Sequence, residues 1–182
     1  MITYPSIDAE AARRFACRVL LPLPQRWIHT QAVAAQAAAV ARAVAPQDRA
    51  LLLAAAWLHD IGYAPAAALT GFHPLDGARL AARYSWPPRL TGLIAHHSGA
   101  LFVARVSGWD EQLAAFPDEA SPVTDALVYA DQTTAPDGRM LPADVRIAQA
   151  LARHGPGSPQ HGAAAHRTPY LLAAVGRVQA RL

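Results

Sequence analysis

Apolar residues along this chain gather in runs of helical length, separated by proline, glycine and aspartate, and no strict apolar–polar alternation persists. Alternation would mark half-buried strands, whereas runs of this kind suit helices that bury one face or all of it. Alanine and leucine dominate, alanine is the best helix former, and Val and Ile are sparse. The chain therefore reads as nearly all helix. Asp8 is placed to cap a first helix over Ala9–Leu20. Pro22 and Pro24 break the chain before a second, from about 26 to 44, which Pro46 ends. Asp48 can cap the next, over 49–59, stopped by Gly62 and Pro65. Residues 64–71 read as an irregular connection, and 73–84 as a helix entered through Pro74. Pro87-Pro88 opens another that runs to about His97. Residues 98–120 are less regular, with Gly99, Gly108 and Pro117 between short apolar stretches. Ser121 as a cap and Pro122 at the first helical position open a helix over 123–133. Pro136-Asp137-Gly138 is a turn and 143–154 a helix. Residues 155–162, with two prolines and three glycines, read as a loop, and a last helix runs over 169–182. No internal repeat or long linker appears, so the expectation is one all-α domain over 1–182, a bundle of about seven to nine helices.

Composition narrows this picture. Hydrophobic residues make up 53% of 182 positions, enough to bury a core without covalent staples. Cys17 is the single cysteine, which excludes an internal disulfide and a thiolate cluster and suits a cytoplasmic setting. Residues 1–10 carry Asp8 and Glu10 and lack a long apolar run, so they do not read as a signal peptide. The run Leu51–Leu58 is too short to span a bilayer, and no membrane segment is expected. The net charge is +3 and every basic residue is arginine. With no basic stripe interleaved with aromatics, nucleic acid is not an expected partner. The modest positive surplus suits a small phosphorylated substrate instead.

The chemistry lies in the order of histidines and aspartates. His29 sits near the start of one helix, and His59-Asp60 ends the next. His73 opens a third, His96-His97 ends a fourth, and Asp131 closes the apolar run 123–130. A carboxylate at the inner end of an apolar helix is costly unless paired or bound to a cation. Imidazole and carboxylate are donors for Mn, Fe, Co, Ni or Zn, and carboxylates also suit Mg.

Through His29, the His59-Asp60 doublet and the distant Asp131, the chain resembles the HD-domain superfamily over roughly residues 25–135. The resemblance implies a helical bundle around a metal, and mostly hydrolysis of phosphate esters or anhydrides. It further implies that His29, His59, Asp60 and Asp131 hold one divalent ion, and that Asp60, His73 and His96 hold a second. His96 is favoured over His97 because the first histidine of a similar His-x-x-Gly segment is the usual ligand. Residues 142–182 are then a helical extension to the metal-binding core. The chain departs from many such phosphohydrolases in lacking a lysine shortly after the doublet, where it reads Ile61-Gly62-Tyr63-Ala64-Pro65. A phosphate clamp must come from arginine, with Arg26, Arg79, Arg105 and Arg139 as candidates.

Blander roles compete for each residue. Asp76 either orients a ligand histidine or favours a helix N-terminus. Tyr63 and Tyr129, beside apolar helices, read as core, and the four tryptophans as packing residues. His154, His161 and His166, in or near the Gly/Pro stretch, are expected to face solvent. The leading expectation is a metal-dependent phosphohydrolase acting through an activated water, with Asp60 as the catalytic carboxylate. Nucleotides and dinucleoside polyphosphates are candidate substrates. Two other readings use the same ligands: a di-iron oxygenase acting on a small organic substrate, and a metal-stabilised regulatory module without turnover.

Overall fold

The computed structural model describes residues 7–182 and contains nine helices of eight residues or more. These are α1 (Ala9–Leu20), α2 (Pro24–Ala39), α3 (Arg49–Leu58), α4 (His73–Arg83), α5 (Pro88–His96), α6 (Ala100–Ser107), α8 (Pro122–Gln132), α9 (Ala143–His154) and α10 (Pro159–Gln179), with α7 (Asp110–Leu113) a single turn. No strand is present among the described residues. The all-α expectation holds. Residues 1–6 of the segment read as lacking a signal peptide lie outside the described residues. Among the described residues no helix is long and apolar enough to cross a membrane.

The most apolar helix lies innermost. α3 buries Leu51, Leu52, Ala54, Ala55, Ala56 and Leu58, and α1, α2, α5 and α8 pack around it. A helix that is apolar almost all round has no solvent face to offer, so it becomes the axis of the bundle. Two helix starts form as their sequence dictates. The Asp8 carboxylate accepts from the amides of Glu10 and Ala11. Ser121 and Thr124 exchange side-chain and backbone bonds in a capping box ahead of α8.

Other boundaries move for identifiable reasons. α2 begins at Pro24, since proline at the first helical position gives up no hydrogen bond, and it stops at Ala39 before a 3₁₀ turn over Ala41–Ala43. Asp48 precedes α3 without capping it; its carboxylate instead takes Arg89 at 2.5 Å. The largest change is at the C-terminus. The segment 155–162, expected as a loop, is helical from Pro159, where Ser158 accepts from the His161 amide. Gly155 and Gly157, both with positive φ, make the preceding turn. α10 continues through Pro169, expected as its start, so that one interior carbonyl forgoes its usual partner. Packing outweighs that loss. Leu171, Ala174, Val175 and Val178 bury against the bundle, and the buried Asp125 carboxylate on α8 takes both Arg177 and Arg181. α10 is thereby docked on α8, with α6 and α9 beside it.

Candidate metal centre

Helix ends converge on one point of the bundle. α3 stops at Leu58, and the chain turns at Asp60 into a 3₁₀ turn over Ile61–Tyr63. This turn aims both His59 and Asp60 inward, at 0% and 3% exposure. Gly62 fixes what comes next. A Cβ there would meet the His73 carbonyl oxygen at 1.9 Å, so only glycine lets the start of α4 approach this closely. Asp76 holds the same approach from the other side, accepting from the amides of Leu69, Thr70 and Gly71 and from the Thr70 hydroxyl. Its role is to fasten the loop that delivers His73, which neither sequence reading described.

Three of the four clustered histidines share one device. Nδ1 of His59 lies 2.8 Å from the Ala56 carbonyl, that of His97 lies 2.6 Å from Ile94, and that of His29 lies 3.1 Å from Ala135. A carbonyl only accepts, so each of these Nδ1 atoms carries a proton and each Nε2 is the nitrogen turned to the centre, where it can give up any proton to a metal ion. Those nitrogens face other groups with lone pairs. His29 Nε2 is 3.1 Å from Asp131 Oδ1, and His73 Nε2 is 3.2 Å from His97 Nε2. His59 Nε2 is buried with no hydrogen-bond partner among the described residues. Such an array is repulsive unless a cation, a proton or a metal ion, lies between the donors.

Two groups result, His29–His59–Asp131 and Asp60–His73–His97, each with one donor atom per residue and all those atoms within 4.8 Å of one another. Asp60 lies between them. Its Oδ2 is 3.4 Å from His59 Nε2 and 3.8 Å from His29 Nε2, while its Oδ1 is 3.5 Å from His73 and 3.9 Å from His97. Tetrahedral donors at ~2.0–2.1 Å from zinc would stand ~3.4 Å apart, so the spacing fits divalent ions. The residues present therefore fit the metal that the sequence implies.

The field agrees. Burial opposes charge on His59, but Asp60 outweighs it and carries the imidazole up to about 9. Burial also works against ionising Asp60, yet His59 and Arg26 hold it well below the usual carboxylate range. At Asp131 the same burial is overcome by the neighbouring imidazoles, His29 first and then the charged His59. His73 and His97 are pushed down, chiefly by burial, and stay neutral.

The geometry reverses one choice made from sequence. His96 was favoured as the ligand, but His97 stands in the cluster. α5 ends at His96, the backbone turns extended at His97, and Ser98 and Gly99 then take left-handed conformations. His96 remains on the helix face turned away, with Nε2 bound to the Phe116 carbonyl at 3.0 Å. Ser98, though not glycine, accepts a positive φ; its hydroxyl donates to Asp131 Oδ2 and accepts from Gln132 Nε2.

Of the four candidate arginines only Arg26 reaches the cavity in front of the cluster. Its Nη1 donates to Asp60 Oδ2 at 2.7 Å, and its guanidinium lies 3.8 Å over the Tyr63 ring, which stacks in turn on His73. Tyr63 thus faces the cavity, whereas Tyr129 packs against the core. Arg79, Arg105 and Arg139 are absent from the lining, and Arg139 pairs with Asp137 on the surface. Arg146, Arg153 and Arg167 line it instead, with His154, which was expected to face only solvent, and Gln160. Arg146, Ala150 and Arg153 follow i, i+4, i+7, the spacing of one helix face, and that signal was available in the sequence.

A model of the HD domain matches residues 26–151, more than half of the chain. The chain belongs to the HD-domain family. Comparison with curated proteins and with solved structures gives no match. The HD segment begins at Arg26, spans all seven candidate ligands from His29 to Asp131, and ends inside α9, before Arg153 and α10.

Proposed function

We propose that this HD-domain protein hydrolyses a phosphate ester or anhydride of a small organic molecule with the help of two divalent metal ions. The observation that carries the reading is the lone-pair array of the two His/Asp groups opening into a cavity of about 600 Å³ lined by four arginines and only two carboxylates. His29, His59 and Asp131 would hold one ion and His73 and His97 the other, with an oxygen of Asp60 turned to each. Bound ions would lower the pKa of a coordinated water from ~15.7 towards ~7 and neutralise phosphoryl oxygens.

The chain's own residues do the rest. Asp60, held ionised, orients the attacking water as a hydrogen-bond acceptor. Arg26, stacked on Tyr63, stands where charge develops on the transferring phosphoryl group. Burial, reinforced by Asp60, keeps the Tyr63 hydroxyl protonated, so it serves as a hydrogen-bond donor. A second, mainly apolar pocket of about 420 Å³ shares Arg26, His29 and Tyr63 with the cavity and is walled by Pro22, Leu23, Pro24 and Pro136. It suits the organic part of the substrate.

The deciding experiment is phosphate release under anaerobic conditions by protein loaded with Mn or Mg. Release supports hydrolysis. Turnover seen only with iron and dioxygen overturns it in favour of the oxygenase, since hydrolysis needs no change of metal oxidation state.

A further inference from the structure

The cavity has a second wall that the His/Asp cluster does not use. Arg146 on α9 is only 7% exposed. Its Nε donates to the Thr134 carbonyl at 2.8 Å, and its Nη1 is buried without a hydrogen-bond partner among the described residues. A buried guanidinium nitrogen with nothing to donate to is expensive, and that cost persists until an acceptor arrives. Arg153 lies two turns further along the same face. Arg167 comes from α10; its Nε donates to the Ser98 carbonyl at 2.9 Å, which leaves its terminal nitrogens for the cavity. Asp60 and Asp131, the two carboxylates of the lining, are already engaged within the cluster. Burial, with Arg146 as a like-charged neighbour, pushes both Arg153 and Arg167 below the ordinary guanidinium range. These are cations gathered around a space that holds no matching anion of the chain.

We propose that Arg146, Arg153 and Arg167 form a second phosphate subsite beside the His/Asp cluster, so that the preferred ligand carries at least two linked phosphate groups. One phosphate meets the metal ions and the next meets the arginine wall. Guanidinium suits this task because its planar fork can bind two phosphate oxygens at once. Arg153, Gln160 and Arg167 lie beyond the matched HD segment, so the subsite is a contribution of the C-terminal helix pair. The inference deepens the phosphohydrolase reading and rests on it only for the first phosphate.

Calorimetric titration of the metal-loaded protein with orthophosphate and with methylenediphosphonate, whose P–C–P link does not hydrolyse, tests the subsite. Metal content measured before and after excludes chelation. In the unaltered protein the diphosphonate is expected to bind at least tenfold tighter than orthophosphate. In an Arg153→Gln/Arg167→Gln variant that ratio is expected to fall below threefold. Arg153→Gln alone, at an exposed position that cannot compromise folding, should lower the ratio by an intermediate factor. Arg105→Gln, outside the cavity, should leave it unchanged. A ratio near one in the unaltered protein, or an equal ratio in the variants, overturns the subsite. The two readings can fail separately. Arginine-dependent diphosphonate binding without phosphate release from any substrate removes the hydrolase and keeps the subsite, whereas turnover without the arginine-dependent ratio does the reverse.

Discussion

The two walls of the cavity are built on opposite principles. The His/Asp wall uses short side chains at or near helix ends, locked by their neighbours and, apart from the partly exposed His73, nearly invisible to solvent. The arginine wall uses long side chains from α9 and α10, two of them reaching in from partly or fully exposed positions. A short ligand has few places to go once its helix is packed, so its fate is decided locally. A long cation can snorkel in several directions, and only the docking of α10 on α8 decides which. The first wall is therefore set by where helices stop, and the second by how they assemble.

Breaking the first wall should give the largest effect. Asp60→Ala is expected to lower activity about a thousandfold or more and to empty both sites, while circular dichroism stays helical. Full metal content and turnover in that variant would dissolve the assignment. Next comes the choice between adjacent histidines. His97→Ala should weaken the second metal by more than about 100-fold, a larger loss than an outer partner of a ligand causes, and move the stoichiometry from two towards one per chain. His96→Ala should shift it less than about threefold; the opposite ranking would restore the assignment made from sequence.

The pH dependence of metal binding comes third. His59 titrates at about 9 without metal, so at neutral pH an ion must displace its proton. Affinity should rise by about tenfold per pH unit from 7 to about 9 and then level off. His73 and His97, already neutral, add no slope in that window. The same shift makes His59 a source of stability in the metal-free protein that is fully present below about 6.5 and lost as pH rises through about 9. A flat affinity profile between 7 and 9 would contradict the field described at the cluster.

Gly62→Ala sharpens the role of backbone approach. Its Cβ meets backbone atoms that cannot swing aside, so about 1–3 kcal/mol of stability should go, read by denaturant unfolding. His154→Ala gives the smallest effect. Because His154 lines the arginine wall, KM should rise about two- to threefold with metal content unchanged. A loss of metal there would mean that the two walls are not independent.

How much of this was legible in the sequence follows from the same contrast. The helices around the cluster appear as apolar runs with polar stops, and His29, His59, Asp60, His73 and Asp131 stand at or near those stops. The His96/His97 choice was not legible, because it depends on where α5 releases its last turn and on the left-handed pair Ser98-Gly99. The Gly/Pro density of 155–162 disguised the start of α10, since proline at a first helical position and proline in a loop look alike in one dimension. With that helix misplaced, Arg167 had no address and Arg153 no reason to be singled out. Arg26, by contrast, lies three residues before His29, close to one helical turn, and could be found.

The carbonyl partners of His59 and His97 come from three residues earlier, in the last turn of the helix that each histidine follows. One imidazole nitrogen thus finishes a helix while the other is left to bind an ion. The orientation of the donors is set when the bundle folds, before any metal arrives, and little entropy remains to be lost on binding. A chelator organised in this way adapts poorly to ions of the wrong radius, so the protein should discriminate among divalent metals by size and exchange the accepted ones without rearranging its fold.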